Sequence, residues 1–193
     1  MPKTKLPIIN ENCYVALLRA INVGGNNLIK MADLRASFGT IGFTEVQTYI
    51  QSGNVVFCAK RMNKSRLTEI IEQALSDAFR YKSRVVVISA AELQRVISQA
   101  PKGFGQEPDL YRYDVLFVRE PLKTSDAIKE VPTNPDVDIV YIGDHALYFR
   151  RLIASAPQSH LNKLVQRSVY QHITIRNWRT TTKLLEMVTS QAG

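Results

Sequence analysis

With 193 residues, 45% of them hydrophobic, and only two cysteines, the chain can form one domain or two small ones and can pack a core without disulfide or metal staples. No tract approaches the ~18 apolar residues of a membrane span, and the opening Met-Pro-Lys-Thr-Lys-Leu-Pro lacks the apolar core and cleavage site of a secretory signal, so a soluble cytoplasmic protein without a membrane partner is expected. The net charge of +8 is uneven: residues 1–100 hold 13 Lys and Arg against 7 Asp and Glu, whereas residues 101–193 hold 12 against 10. That excess points either to an anionic partner (nucleic acid, a nucleotide or a phosphorylated metabolite) or to ordinary solvated surface charge.

In chain order, residues 13–19 read as a strand, and Met31, Leu34, Phe38 and Ile41 are spaced as one helical face that stops at Gly42. Val46 to Ile50 and Val55 to Cys58 are short β-rich runs around the turn Gln51-Ser52-Gly53-Asn54, which predicts a hairpin. Leu67, Ile70, Ile71, Ala74, Leu75, Ala78 and Phe79 mark a long amphipathic helix, followed by the strand Arg84 to Ile88. Ser89 and Glu92 form a capping box for a helix carrying Leu93, Val96, Ile97 and Ala100. Pro101, Gly103, Gly105 and Pro108 then signal a connecting loop or boundary.

The pattern restarts. Tyr113 to Arg119 reads as a strand, Ser125 to Val131 as a short helix, and Val137 to Ile142 with Ala146 to Arg150 as a second hairpin. Leu161, Leu164, Val165 and Val169 predict a helix, His172 to Ile175 a strand, and Trp178 to Val188 a final helix capped by Asn177. Tyr49, Ile50 and Phe57 recur as Tyr141, Ile142 and Phe149 in the second hairpin, which suggests an internal duplication. Two β-α-β-β-α-β units imply an α+β protein of tandem ferredoxin-like plaits, each a four-stranded antiparallel sheet with helices on one face. Residues 1–100, with a connecting helix over 89–100, would form the first and residues 101–193 the second.

With strands one and three of the first plait set side by side and parallel, Cys13 and Cys58 fall at opposite ends of the sheet as buried reduced thiols, with no disulfide. The same arrangement brings Arg19, Asn22, Gly24 and Gly25 next to Lys60, Arg61, Lys82 and Arg84. Backbone amides of a glycine turn beside arginines suit a phosphate or carboxylate, with Asn22 orienting it. The glycine turn is neither the dinucleotide nor the P-loop fingerprint, and it serves equally as a tight strand-to-helix connection.

Three readings follow: a small anionic ligand at this edge, non-specific nucleic-acid binding through the basic first half, or a structural or oligomeric module without ligand. RNA recognition of the stacking type is disfavoured because the third strand offers Phe57 alone. His145, His160 and His172 are scattered, so no metal site is expected, and neither Ser52 nor Ser155 sits in a nucleophile motif. No catalytic residue and no cofactor can be assigned, and the oligomeric state stays open. Arg176, Asn177 and Trp178, the only tryptophan, form a further candidate anion site at the start of the last helix.

Three stretches, Leu18-Arg19-Ala20-Ile21-Asn22-Val23-Gly24-Gly25, Thr48 to Phe57, and Arg176-Asn177-Trp178-Arg179-Thr180, resemble the bacterial domain of unknown function family numbered 1697. Its members carry an R-G-I-N-V-G-G signature, a Y-I-Q-S-G-N-V hairpin and a closing R-N-W-x-T. The resemblance implies paired ferredoxin-like plaits and no known activity. It marks Arg19, Asn22, Gly24, Gly25, Gln51, Ser52, Gly53, Asn54, Arg176, Asn177 and Trp178 as signature positions. Ala20 stands where the family has glycine. The parallel arrangement would hold the Ser52 hairpin at the far end of the sheet from the Gly24 loop.

Overall fold

A computed structural model describes residue 10, residues 12–22 and residues 27–192. Gly24 and Gly25 lie outside the described residues. Compactness divides the chain into two units, Met1–Leu93 with Lys183–Gly193, and Gln94–Thr182. This division falls inside the helix that follows the fourth strand, and the last residues of the chain count with the first unit.

The first unit runs β1 (Cys13–Leu18), α1 (Met31–Thr40), β2 (Thr44–Tyr49), β3 (Asn54–Cys58), α2 (Lys64–Phe79), β4 (Val85–Ser89) and the start of α3 (Ala90–Ser98). The strands form one sheet in the order β2-β3-β1-β4, and every pairing is antiparallel. Alternate residues of the strands point to one face. Tyr14, Ala16, Leu18, Val55, Phe57, Val85 and Val87 there meet Leu34 and Phe38 of α1 and Leu67, Ile71 and Leu75 of α2 in one core. Asn63 caps α2 by accepting from the Ser65 amide at 2.8 Å, and Arg80 ends it in the left-handed region.

The parallel placement of β1 and β3 is wrong, and its consequences change with it. Two β-α-β crossovers make β1 parallel to β2 and β3 parallel to β4, so the central pair β1 and β3 runs antiparallel. Cys13 thus faces Cys58 directly, the two are joined as a disulfide, and no free cysteine remains. The Ala59 amide donates to the Asn12 carbonyl at 2.9 Å, which makes Cys13 and Cys58 a non-hydrogen-bonded pair, the closer kind. Their Cα atoms are 4.0 Å apart.

The second unit continues from α3 through β5 (Tyr111–Val118), α4 (Thr124–Glu130), β6 (Asp138–Ile142), β7 (Ala146–Leu152), β8 (Ile173–Asn177) and the start of α5 (Trp178–Thr189). Its sheet has the order β6-β7-β5-β8, the same as the first, again antiparallel throughout. Leu116, Leu147 and Phe149 pack with Ala127, Val131, Leu161, Leu164 and Val169. The helix expected over Leu161 to Val169 is instead two short 3-10 segments, His160–Gln166 and Ser168–His172. Arg167 between them is extended, and three-residue turns leave Val165 outside, 59% exposed.

The capping box at the head of α3 forms as the sequence suggests. The Glu92 amide donates to Ser89 Oγ at 3.2 Å, the Ser89 amide donates to Glu92 Oε2 at 2.9 Å, and Lys64 Nζ reaches Glu92 Oε1 at 2.6 Å. Burial pushes the Glu92 carboxyl up, but the bonds from Lys64 and Ser89 outweigh it and hold the group below its ordinary value. A depressed carboxyl stabilises the fold above its unfolded pKa and loses that stabilisation as the pH falls through the folded value. Glu92→Gln should therefore cost about 1 kcal/mol near neutral pH in urea unfolding, the usual worth of a cap, with the deficit closing on acidification. A deficit that persists undiminished to about pH 3 contradicts this assignment.

Candidate functional site

Antiparallel pairing sorts the first-unit candidates into two groups at opposite ends of the sheet. The end of β1 meets the start of β3 and of β4, with Leu17 opposite Asn54 and Leu18 opposite Val85. Arg19 therefore lies beside Arg84, whose carbonyl accepts from the Arg19 amide at 3.0 Å, and Arg84 Nη1 stands 3.6 Å from Glu72. Lys60 and Arg61 follow the other end of β3, next to Cys13, so the five-cation edge does not assemble. The Ser52 hairpin, expected far from the loop after β1, is instead in contact with it.

That contact is tightly built. Asn22, with φ +53°, donates from Nδ2 to the Ile29 carbonyl at 3.0 Å and to the Gln51 carbonyl at 2.9 Å, and its Oδ1 accepts from the Ile29 amide at 2.8 Å. Asn54 is fully buried, with Nδ2 donating to the Tyr49 carbonyl and to Ser52 Oγ, both at 3.0 Å. Gly53 has φ +74°, and a Cβ there would sit 2.8 Å from Leu18 Cβ and 2.9 Å from Ile21. The side chains of Asn22 and Asn54 thus bind backbone and hairpin, and these signature positions clip two loops together.

The second unit carries a cavity of about 520 Å³ lined by residues from the start of β5, the end of β7 and the start of α5. Its origin is a mismatch of strand lengths. β8 pairs with β5 only as far as Asn177 opposite Asp114, so Tyr111, Arg112 and Tyr113 extend past it along an edge that β8 does not cover. Beyond Asn177 the chain turns into α5. Asn177 Oδ1 accepts from the Thr180 amide at 2.7 Å, the cap expected from the sequence. Such a cap fixes the direction in which the first-turn amides of Trp178 and Arg179 point.

Trp178 closes one side. Its ring meets Phe104 edge-on, centroids 5.2 Å apart, and Phe104 also packs edge-on with Tyr113 and Tyr148. Tyr148 donates to the Val96 carbonyl at 2.7 Å, and burial followed by the nearby Asp144 pushes its phenol up to about 12. Gly105, with φ +85°, leaves no room for a Cβ against the indole. On another side Arg150 lies over the Tyr111 ring at 4.3 Å from its centroid.

The charged part of the lining is Arg112, Asp114, Arg151 and Arg179. Arg112 and Arg151 are directly opposite on β5 and β7. Asp114 is 8% exposed, and its Oδ2 lies 3.2 Å from Arg151 Nη2. The pair meets in distance without hydrogen-bond geometry, since neither Asp114 Oδ2 nor Arg151 Nε has a hydrogen-bond partner among the described residues. Burial pushes the Asp114 carboxyl up, and the charges of Arg151 and Arg112 pull it back only in part.

Of the sequence candidates, Asn177 and Trp178 line this cavity, whereas Arg176 does not. Arg176 donates to the Ile175 carbonyl at 2.8 Å, and burial lowers its guanidinium to about 10, so it stays cationic at neutral pH. Sequence reasoning missed Arg112, Asp114 and Arg151. A signal was present: an aspartate inside the run Tyr113 to Val118 breaks an otherwise apolar strand, and a buried acid calls for a cation across the sheet. Among the described residues no group of His, Cys, Asp and Glu could hold a metal, and no helix is long and apolar enough to cross a membrane.

Fold and lining together define a two-plait α+β protein with a cationic, aromatic-walled pocket in its second plait. The chain belongs to the family described as protein of unknown function DUF1697, whose model matches residues 12–148. Among solved structures it is similar to the conserved bacterial protein SP0830 from Streptococcus pneumoniae, at 28% identity and a TM-score of 0.80, covering 91% of this chain and 98% of that one. No curated protein matches it.

Ala20, the departure from the glycine that the family resemblance implies, has φ +53°. A left-handed backbone brings Cβ against the following carbonyl, a clash that glycine escapes. Ala20→Gly should therefore stabilise the protein by about 1 kcal/mol in denaturant unfolding. A loss of stability would mean that the loop does not hold this conformation.

Proposed function

We propose that this protein binds a small anionic ligand, a phosphate or carboxylate compound, in the second-unit pocket. One observation carries the reading: Arg112 and Arg151 are directly opposite across β5 and β7. Like charges so placed repel each other, and such pairs are destabilising in sheets. Asp114 offsets one of them, while Arg179 adds a further positive charge to the lining. An anion between the guanidiniums removes the repulsion and gains bidentate, charge-assisted hydrogen bonds. The capped start of α5 adds amide donors and a favourable dipole on the same side.

This reading keeps the anion-binding expectation and moves it from the Gly24 edge to the Asn177 and Trp178 end of the chain. Lys60 and Arg61 have no part in it. Because Trp178 lines the pocket and is the only tryptophan, its emission reports occupancy directly. Titration with inorganic phosphate and with citrate should change that emission saturably. Arg112→Ala, an exposed position that the core does not need, should weaken the response at least about tenfold, the low end for a hydrogen bond to a charged group. Emission indifferent to both anions, or unchanged affinity in Arg112→Ala, contradicts the proposal.

A further inference from the structure

We infer that the anion taken by this pocket is the phosphate of a nucleoside monophosphate, whose ring packs on the Trp178 side and whose sugar hydroxyl meets Asp114. The inference rests on the anion-binding reading above and goes further by naming the ligand class. A cavity of about 520 Å³ far exceeds what a lone oxyanion fills and sits within the range of about 300–1,000 Å³ of small-molecule sites. The rest of the ligand must match the rest of the lining, which falls into two parts.

One part is aromatic and apolar: Tyr111, Tyr113, Trp178 and Pro108. Gly105 and Phe104 pack against the indole and hold it in place, so it offers a rigid aromatic surface at little entropic cost. A planar base satisfies such a surface whatever its identity, because every base has a π face. The other part is Asp114. It lines the cavity with its side chain 12% exposed, while its Oδ2 is buried against Arg151, 3.2 Å from Nη2. A ligand that was only an anion would leave this carboxylate unmatched. A hydroxyl donor on the same molecule would match the part of this carboxylate that lines the cavity, as acidic residues do for ribose in dinucleotide sites. Phosphate for the arginines, hydroxyl for the aspartate and ring for the tryptophan occur together in a nucleotide.

The test is isothermal titration calorimetry of the intact chain with adenosine monophosphate, ribose 5-phosphate and inorganic phosphate. The expected order of affinity is that order, with adenosine monophosphate about tenfold tighter than ribose 5-phosphate, near the low end of base–aromatic stacking. Trp178→Ala should reduce adenosine monophosphate to the level of ribose 5-phosphate. If that variant does not fold, the ligand series on the natural chain decides alone. Equal affinity for adenosine monophosphate and ribose 5-phosphate overturns the nucleotide inference and leaves the anion site standing. Heat from none of the three overturns both.

Discussion

The fold depends on one constraint, the antiparallel pairing of each unit's first strand between its third and fourth. In the first unit, β1 lies between β3 and β4 and contributes six buried residues from Cys13 to Leu18. Because both neighbours run against it, whatever follows β1 is placed beside the turn that opens β3 and the residue that opens β4. The loop of Arg19 and Asn22, the hairpin of Ser52 to Asn54, and Arg84 are therefore neighbours by topology. Hydrogen bonds from Asn22 and Asn54, and the space left by Gly53, complete a junction that strand direction had already made.

The second unit repeats the pairing with one difference. β5 runs from Tyr111, while β8 joins it only from Asp114, and the uncovered length becomes a wall of the pocket. The same register puts Arg112 against Arg151. A sheet that only had to be stable would avoid that juxtaposition, and the partly screened, partly buried charge around Asp114 raises the local electrostatic cost. Local conflict of this kind is common at functional sites and supports the proposed anion site.

Much of the element order was legible because periodicity and capping are local. The helix from Leu67 to Phe79, the Ser89 and Glu92 box, the Asn177 cap and the repeat of Tyr49 and Phe57 at Tyr141 and Phe149 could all be read within short windows. Strand direction could not be read that way, since it depends on two crossovers considered together. That error separated Cys13 from Cys58 and joined Arg19 to Lys60. The 3-10 segments from His160 to His172 escaped because their apolar spacing imitates an α-helix until Arg167 extends. Arg112 and Arg151 meet only through register, which no single window contains. The signature turns around Asn22 and Ser52 looked functional because they are polar. The side chains of Asn22, Asn54 and Ser52 hold these loops.

The proposed anion site lies in the second plait, at the uncovered start of β5. The most direct measurement is the map of backbone and indole N–H chemical shifts during titration with phosphate. The largest changes are expected at Arg112, Tyr113, Asp114, Arg179 and the Trp178 indole, with the loop of Arg19 and Asn22 unmoved. Changes centred on Arg19, Asn22 and Ser52, or on Lys60 and Arg61, would place the site in the first plait and contradict the proposal.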